Sequence, residues 1–128
     1  MTRKLVSSGS PHEPKIGFSR AVRVDRYIAV AGTAPIAPGG GTACPGDVYR
    51  QTLRCIEIAG RAIEEAGGQL KDVVRTRIML TDINRWRDAA RAHGEVFGEI
   101  RPVCTFVEVS GFIDATWLVE IEVDAVVP

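Results

Sequence analysis

The segment RPVCTFVEVSGFIDATWLVEIEVDAVV, residues 101–127, decides the fold. It contains two runs of period-two character, residues 103–109 and 118–127, which predict β-strands because successive side chains of a strand point to opposite faces. In the second run apolar residues alternate with acidic ones, so one face is expected in the core while the other carries negative charge. The apolar row is Val119, Ile121, Val123 and Ala125, and the acidic row is Glu120, Glu122 and Asp124.

The first run brings an uncommon set of side chains into one row. Cys104, Phe106 and Glu108 share a face, which makes this strand the first place to look for chemistry. Free cysteine is among the most buried residue types, so the plainer interpretation of Cys104 is a small, half-buried strand residue. A nucleophilic cysteine needs a nearby base or cation that lowers its pKa. The candidates for such a partner are His93, Arg20 and Arg101.

The composition limits the classes to which the protein can belong. The 128 residues, 45% of them hydrophobic, suit one globular domain spanning residues 1–128. Sixteen Lys and Arg balance sixteen Asp and Glu, which argues against the wide basic surface that nucleic-acid binding requires. Three cysteines without metal-ligand spacing favour the reducing cytoplasm and give no metal site. No apolar run approaches the ~20 residues of a membrane helix, so we expect no membrane contact.

Turn signals and periodicity predict the order β-β-β-α-β-α-β-β. The first helix is the strongest of these predictions, because Asp47 suits an N-cap and Gly67-Gly68 a stop. Residues 33–46 hold four glycines and three prolines and are expected to form a surface loop. The predicted strands cover residues 4–7, 16–24, 27–32, 73–80, 103–109 and 118–127, and the predicted helices cover residues 47–66 and 84–98.

Two helices of this length can cover only one face of a sheet of five or six strands. The apolar arm at residues 27–32, expected to be buried on both faces, and the apolar row of residues 119–125 offer more surface than two helices hide. Because large apolar patches usually mark association surfaces, we expect a cyclic homo-oligomer packed through its sheets. Any ligand cleft would then lie between subunits.

Several segments, in this order and spacing, carry a resemblance to a known family. They are GFSRAV at residues 17–22, VAGTAPI at 30–36, QTLRCIEIAGRAIEEAGGQLKDVVRTRIMLTDI at 51–83, HGEVFGEIRPVCTFVEV at 93–109 and LVEIEVDAV at 118–126. The chain resembles the Rid family (reactive intermediate deaminases, also called YjgF or endoribonuclease L-PSP proteins). The resemblance implies a chorismate-mutase-like α+β fold, with about six strands and two helices on one face. It also implies a homotrimer formed through the other face around a central β-barrel, with clefts at the subunit interfaces.

The resemblance further implies a reaction and a set of site residues. Studied Rid proteins release ammonia from enamines and imines such as 2-aminoacrylate, without metal or organic cofactor. Their motif P-A-R-S-x-V-E-V holds the substrate carboxylate with its arginine, and Cys104 stands at that position here, so this chain resembles a subgroup without the arginine. Glu120 matches the acid that positions the attacking water, although a structural carboxylate lining the trimer is the alternative. The substrate-binding positions carried over are Phe18 in place of a tyrosine, Ser19, Ala90 in place of an asparagine, Cys104 and Thr105.

Two functions from different classes follow. The first is a cofactor-free imine or enamine deaminase that binds a small, partly apolar molecule, with Arg20, Arg77 or Arg101 as a replacement cation. The second is a non-catalytic ligand-binding or interaction protein on the same scaffold, suggested by the lost polarity at Phe18, Ala90 and Cys104. A ribonuclease rests only on one of the family's names and is disfavoured by the neutral charge.

Overall fold

The computed structural model describes residues 3–128, which contain six strands and three α-helices. Short 3₁₀ turns at Leu70–Asp72 and Ile83–Arg85 lead into the fourth strand and the third helix. The elements in chain order are β1 (Arg3–Val6), α1 (His12–Ile16), β2 (Ala21–Val24), β3 (Tyr27–Thr33), α2 (Val48–Glu65), β4 (Val73–Leu80), α3 (Trp86–Phe97), β5 (Val103–Glu108) and β6 (Val119–Val126).

The sheet is built around β6, in the order β1-β2-β3-β6-β4-β5. Strand β6 pairs antiparallel with both β3 and β4, and β5 lies at the edge, parallel to β4. The four apolar residues of β6 are buried beneath α2 and α3, as their alternation predicts. This confirms the predicted α+β class, with a six-stranded sheet and the two long helices on one face.

Helix α2 begins and ends where the sequence indicates. The Asp47 carboxylate accepts a hydrogen bond of 3.0 Å from the Arg50 backbone N–H, which is the expected N-cap contact. Gly67 follows the helix with a φ of 91°, a conformation that glycine adopts without steric cost. The residues that face the sheet are buried at helical spacing and include Cys55, Ile56, Ala59 and Ile63.

The strand predicted over residues 16–24 is wrong in its first part. Residues His12–Ile16 form the short helix α1, and the strand starts only at Ala21. A five-residue helix is too short to leave a periodic signal, and here side-chain contacts with nearby residues of the chain hold it. The buried Glu13 carboxylate accepts hydrogen bonds from Ser8, and Gly17 ends the helix with a φ of 89°.

The opposite face of the sheet, which we call the open face, is not apolar in the way expected. The apolar row of β6 is covered by helices. In β3 only alternate residues such as Ile28 and Val30 are buried, so the prediction that this strand is buried on both faces is wrong for the single chain. The open face instead carries charged pairs between β4 and β6. They are Arg75 with Asp124 at 3.4 Å and Arg77 with Glu122 at 2.8 Å. Association through this face stays a prediction.

Among residues 3–128, no helix combines the length and the apolar character that crossing a membrane requires.

Candidate functional site

The predicted site residues fall into two groups on opposite faces of the sheet. Glu120 on β6 belongs to the open-face side, as do Phe18 and Ser19 in the chain segment before β2. Ala90 and Cys104 belong to the helix-covered side, where α3 crosses β5. We call the first group, completed by Arg20, Gly32 and Thr33, the Glu120 site, and the second, with Trp86, His93 and Phe106, the α3–β5 cluster.

A β-bulge positions Glu120. Strand β3 pairs through Val30 with Val123 and through Thr33 with Ile121, so β3 has one residue more than β6 between these two pairs. Bulges re-aim side chains, and this one brings Gly32 against Glu120. A Cβ atom at Gly32 would lie 2.8 Å from Oε1 of Glu120, so the carboxyl group occupies space that any other residue would take.

Arg20 lies directly behind this bulge. Its side chain is buried, with 8% of the residue exposed, and one Nη donates hydrogen bonds to the Gly32 carbonyl at 2.7 Å and to Thr33 Oγ1 at 3.2 Å. Its guanidinium also lies 5.4 Å from the centroid of the Phe18 ring. Nε is 3.9 Å from Glu13 Oε2 and is buried without a hydrogen-bond partner in the described chain.

Burial raises the pKa of Glu120 above its usual range, because the charged form loses water contacts. The positive charge of Arg20 opposes this effect, and the neighbouring Glu122 carboxylate adds to it. A carboxyl group with a raised pKa exchanges protons at less acidic pH than an exposed glutamate does. Such a group suits general acid–base work.

A broad depression of about 720 Å³ opens on the face beside this site. Phe18 and Ser19 line it, whereas Glu120 is not among its lining residues. The floor consists of β3 and the charged pairs of β4 and β6. Charged side chains and the Phe18 ring therefore line the same depression.

The α3–β5 cluster has a different character. Cys104 lies in register with Thr76 on the neighbouring β4, and Thr76 Oγ1 is 2.8 Å from Nε2 of His93. Trp86 meets Phe106 edge to face, with ring centroids 5.9 Å apart. Ala90 lies four residues after Trp86 and three before His93 on α3, so the three side chains lie on one face of the helix. Aromatic and small side chains therefore share the helix-covered side of β5 with Cys104.

Cys104 is exposed, which corrects the expectation of a half-buried strand residue. The reason is that β5 is the edge strand, so no further strand of residues 3–128 covers its outer side. Burial lowers the pKa of His93, so this ring is neutral at neutral pH and supplies no positive charge to the thiol. The third member of the predicted row, Glu108, caps a turn by accepting a hydrogen bond from the Ile83 N–H.

Within one chain Cys104 and Glu120 do not meet. They project from opposite faces of the sheet, and β4 separates their strands. Thr105 lies beside Arg77 in the β4–β5 register and therefore belongs to the open face, away from Cys104. The predicted residues form two partial sites.

The family model described as endoribonuclease L-PSP matches residues 10–127. The chain belongs to this family, the Rid (YjgF) family. The crystal structure of Rv2704 from Mycobacterium tuberculosis, described as a member of the YjgF/YER057c/UK114 family, superposes with a TM-score of 0.90. It is 44% identical and covers 98% of this chain and 100% of that one.

Two curated relatives of this Rid protein differ in what their names say. An uncharacterized protein of Streptomyces coelicolor is 42% identical over 95% of this chain and 90% of its own length. A protein of Rattus norvegicus named 2-iminobutanoate/2-iminopropanoate deaminase is 33% identical over 64% of this chain and 60% of its own length.

The three arginines that were candidates for a replacement cation have different surroundings in this Rid protein. Arg20 is buried and engaged with the bulge. Arg77 donates to Glu122 at 2.8 Å. Arg101 is exposed in the connection to β5, with a φ of 59° and its N–H bonded to the Phe97 carbonyl at 2.8 Å. Arg101 is therefore the one of the three not held by an acid or by buried backbone.

Sequence reasoning missed two contributors to the Glu120 site. Gly32 has no Cβ atom and so leaves room for the Glu120 carboxyl group. Thr33 Oγ1 accepts a hydrogen bond from Arg20 and donates one to the Ala31 carbonyl at 2.7 Å. Both lie in the VAGTAPI segment that carries the family resemblance, but only the pairing register of β3 with β6 reveals their roles. Among residues 3–128 no group of three or more His, Cys, Asp or Glu side chains is placed to hold a metal ion.

Proposed function

We propose that this Rid protein hydrolyses a small imine or enamine, with Glu120 guiding the attacking water. The observation that carries the proposal is the Glu120 carboxyl, whose pKa is raised by burial and which is held against a glycine at a β-bulge beside a buried arginine. The name of the relative from Rattus norvegicus, 2-iminobutanoate/2-iminopropanoate deaminase, supports the same class of substrate.

The reaction requires little beyond this group. An enamine first gains a proton at carbon and loses one from nitrogen to become the imine. Water then adds to the imine carbon while the Glu120 carboxylate takes one of its protons and passes it to nitrogen, which gives a carbinolamine. Transfer of the remaining hydroxyl proton to nitrogen, as the C–N bond breaks, releases ammonia and leaves the carbonyl product. The balance is one imine and one water to one carbonyl compound and one ammonia, with no electron transfer and no cofactor.

We propose further that three chains assemble through their open faces, so that the Glu120 site of one meets the α3–β5 cluster of the next. Three features support this arrangement: the separation of Cys104 from Glu120 within one chain, the open face that neither α2 nor α3 covers, and the family membership. The unpaired thiols fit a reducing cytoplasm.

The ligand should be less dependent on a carboxylate contact than in Rid proteins with the arginine. Cys104 cannot form the bidentate contact of a guanidinium, and Trp86 and Phe106 beside it present ring surface. A partly apolar imino acid, or an imine whose acid group reaches Arg101, fits this cluster better than the smallest substrate.

The test measures ammonia release from freshly generated 2-aminoacrylate and from a bulkier imino acid, above the uncatalysed rate. We expect Glu120→Gln to lower kcat/KM by roughly 10²-fold or more, as loss of a general base does. The matched control is Glu57→Gln, which changes an exposed carboxylate on α2. Equal turnover in the native protein and in Glu120→Gln would end the proposal.

The non-catalytic alternative rests on the same lost polarity at Phe18, Ala90 and Cys104. It predicts that a ligand is retained through purification and that the native protein never exceeds the uncatalysed rate. Restoring the cation with Cys104→Arg then separates the two functions. Activity gained only in that variant would mean an intact scaffold used for binding.

A further inference from the structure

Arg20 has no role in the reaction described so far, although its surroundings are unusual. A guanidinium nine-tenths buried is rare, because transferring a charge from water to the interior costs several kcal/mol unless it is paired. Arg20 is only partly paired: Glu13 is 3.9 Å away, and Nε has no hydrogen-bond partner in the described chain. A buried cation kept under these conditions needs a reason beyond packing.

The contacts of Arg20 converge on the strand segment that positions Glu120. Its backbone bridges two strands, because its N–H donates to the Val6 carbonyl at 2.8 Å and its carbonyl accepts from the Ala31 N–H at 2.9 Å. Its side chain binds the Gly32 carbonyl and Thr33 Oγ1, which are the residues of the bulge. Gly32 in turn leaves the space that the Glu120 carboxyl fills.

We propose that Arg20 is a positioning residue for Glu120, acting through the bulge and through its charge to hold that carboxyl group ionised and in place. One Nη is occupied by Gly32 and Thr33, and Nε lies towards Glu13, so the role proposed for Arg20 is support of the bulge rather than contact with the substrate.

The charged and titratable neighbours of Glu120 lie on β6, on α2 and in the segment before β2. On β6 itself, Glu122 disfavours ionisation, while Arg20, before β2, favours it. On α2, the Cys55 thiol is fully buried, and burial raises its pKa far enough to keep it neutral. Arg20 is the cation among these, so its removal leaves burial and Glu122 unopposed.

The test uses the titration of Glu120 itself, followed by NMR of the protein labelled with ¹³C at glutamate carboxyl carbons. The Glu120 resonance is the one that disappears in Glu120→Gln. We expect Arg20→Gln to move its midpoint to higher pH, because loss of a nearby positive charge disfavours the carboxylate. Arg20→Lys, which keeps the charge, should restore the midpoint towards the native value.

The matched control is Arg23→Gln. Arg23 also gives its side-chain N–H groups to backbone carbonyls, those of Asp25 and Ala66, but it lies on β2 away from Glu120. Its loss should leave the Glu120 midpoint unchanged. An unchanged midpoint in folded Arg20→Gln, or an equal shift in Arg23→Gln, would overturn the inference.

A second measurement needs no folded Arg20 variant. In the native protein the Arg20 Nε–H resonance should shift with the same midpoint as the Glu120 carboxyl, and this step should vanish in Glu120→Gln. An Arg20 resonance insensitive to Glu120 protonation would overturn the inference as well.

The inference rests on the proposed function only for its effect on turnover. There, Arg20→Gln should move the acid limb of the kcat/KM profile to higher pH by the same shift as the NMR midpoint. An NMR shift in a protein without turnover would sustain the role of Arg20 and end the proposed function. Turnover that depends on Glu120, with no NMR shift in Arg20→Gln, would sustain the proposed function and end the role of Arg20.

Discussion

Replacing Gly32 with alanine should displace the Glu120 carboxyl group while leaving the stability of the fold nearly unchanged. The added Cβ would lie 2.8 Å from Glu120 Oε1 and 4.0 Å from the Met79 methyl group. Ordinary contact begins at 3.4 Å, so the carboxyl must retreat by about 0.6 Å or turn to another rotamer. The obstructed atom is the end of a flexible side chain, and Gly32 does not have a positive φ. The backbone can therefore accept alanine.

The expected effects on stability and on rate differ in size. Alanine restricts the unfolded chain, which stabilises by ~0.4–1 kcal/mol and offsets the rearrangement of Glu120. The free energy of unfolding should thus stay within about 1 kcal/mol of the native value. Misplacing a reacting group by ~1 Å can cost roughly 10²-fold in rate, so kcat/KM for ammonia release should fall by roughly 10- to 100-fold.

The assay pairs urea denaturation with ammonia release, and the control is Gly94→Ala. Nothing lies within 4 Å of a Cβ at Gly94, so this exposed position on α3 should gain about 0.8–1 kcal/mol of helix propensity without loss of activity. Full activity in folded Gly32→Ala would refute the claim that Glu120 works from its present position. Unfolding of Gly32→Ala would refute the claim that only a flexible carboxyl is displaced.

Three further predictions concern stability. Burial lowers the pKa of His93 from 6.5, so the free energy of unfolding should decrease as the pH falls below 6.5, by at most ~1.4 kcal/mol per pH unit. The His93→Gln variant can still bond Thr76, and in urea titrations it should show a weaker pH dependence. Because the pKa of Glu120 is raised, Glu120→Gln should be more stable than the native protein at neutral pH, and denaturation below pH 4.5 should show no difference. Asp47→Ala removes the N-cap of α2 and should cost about 0.5–2 kcal/mol in thermal denaturation without changing kcat/KM.

Local patterns were sufficient for most elements of the fold. The bounds of β4, Val73–Leu80, were predicted correctly because β-branched residues and a turn define them. The burial of one face of β6 followed from strict alternation. The insertion of β4 between β5 and β6 did not follow, because pairing partners depend on the whole sheet rather than on either strand. Helix α1 was missed for a different reason: it has only five residues and is held by contacts of Glu13 with Ser8 and Arg20 that give no periodic signal.

The site was predictable in its chemistry more than in its geometry. Glu120 was named from the family resemblance, and Arg20 as a candidate cation, but nothing local shows that Arg20 is buried behind a bulge. Gly32 gives no signal at all in a sequence, because its contribution is the absence of a Cβ atom. The exposure of Cys104 depends on β5 being an edge strand, which is again a property of strand order.

The most direct test of the account is the pH profile of kcat/KM for ammonia release, measured from about pH 4 to pH 8 with the uncatalysed rate subtracted. The account predicts an acid limb whose midpoint lies above 4.5, the ordinary pKa of a glutamate, and which disappears with most of the activity in Glu120→Gln. No turnover at any pH, or an acid limb that persists unchanged in Glu120→Gln, would contradict it.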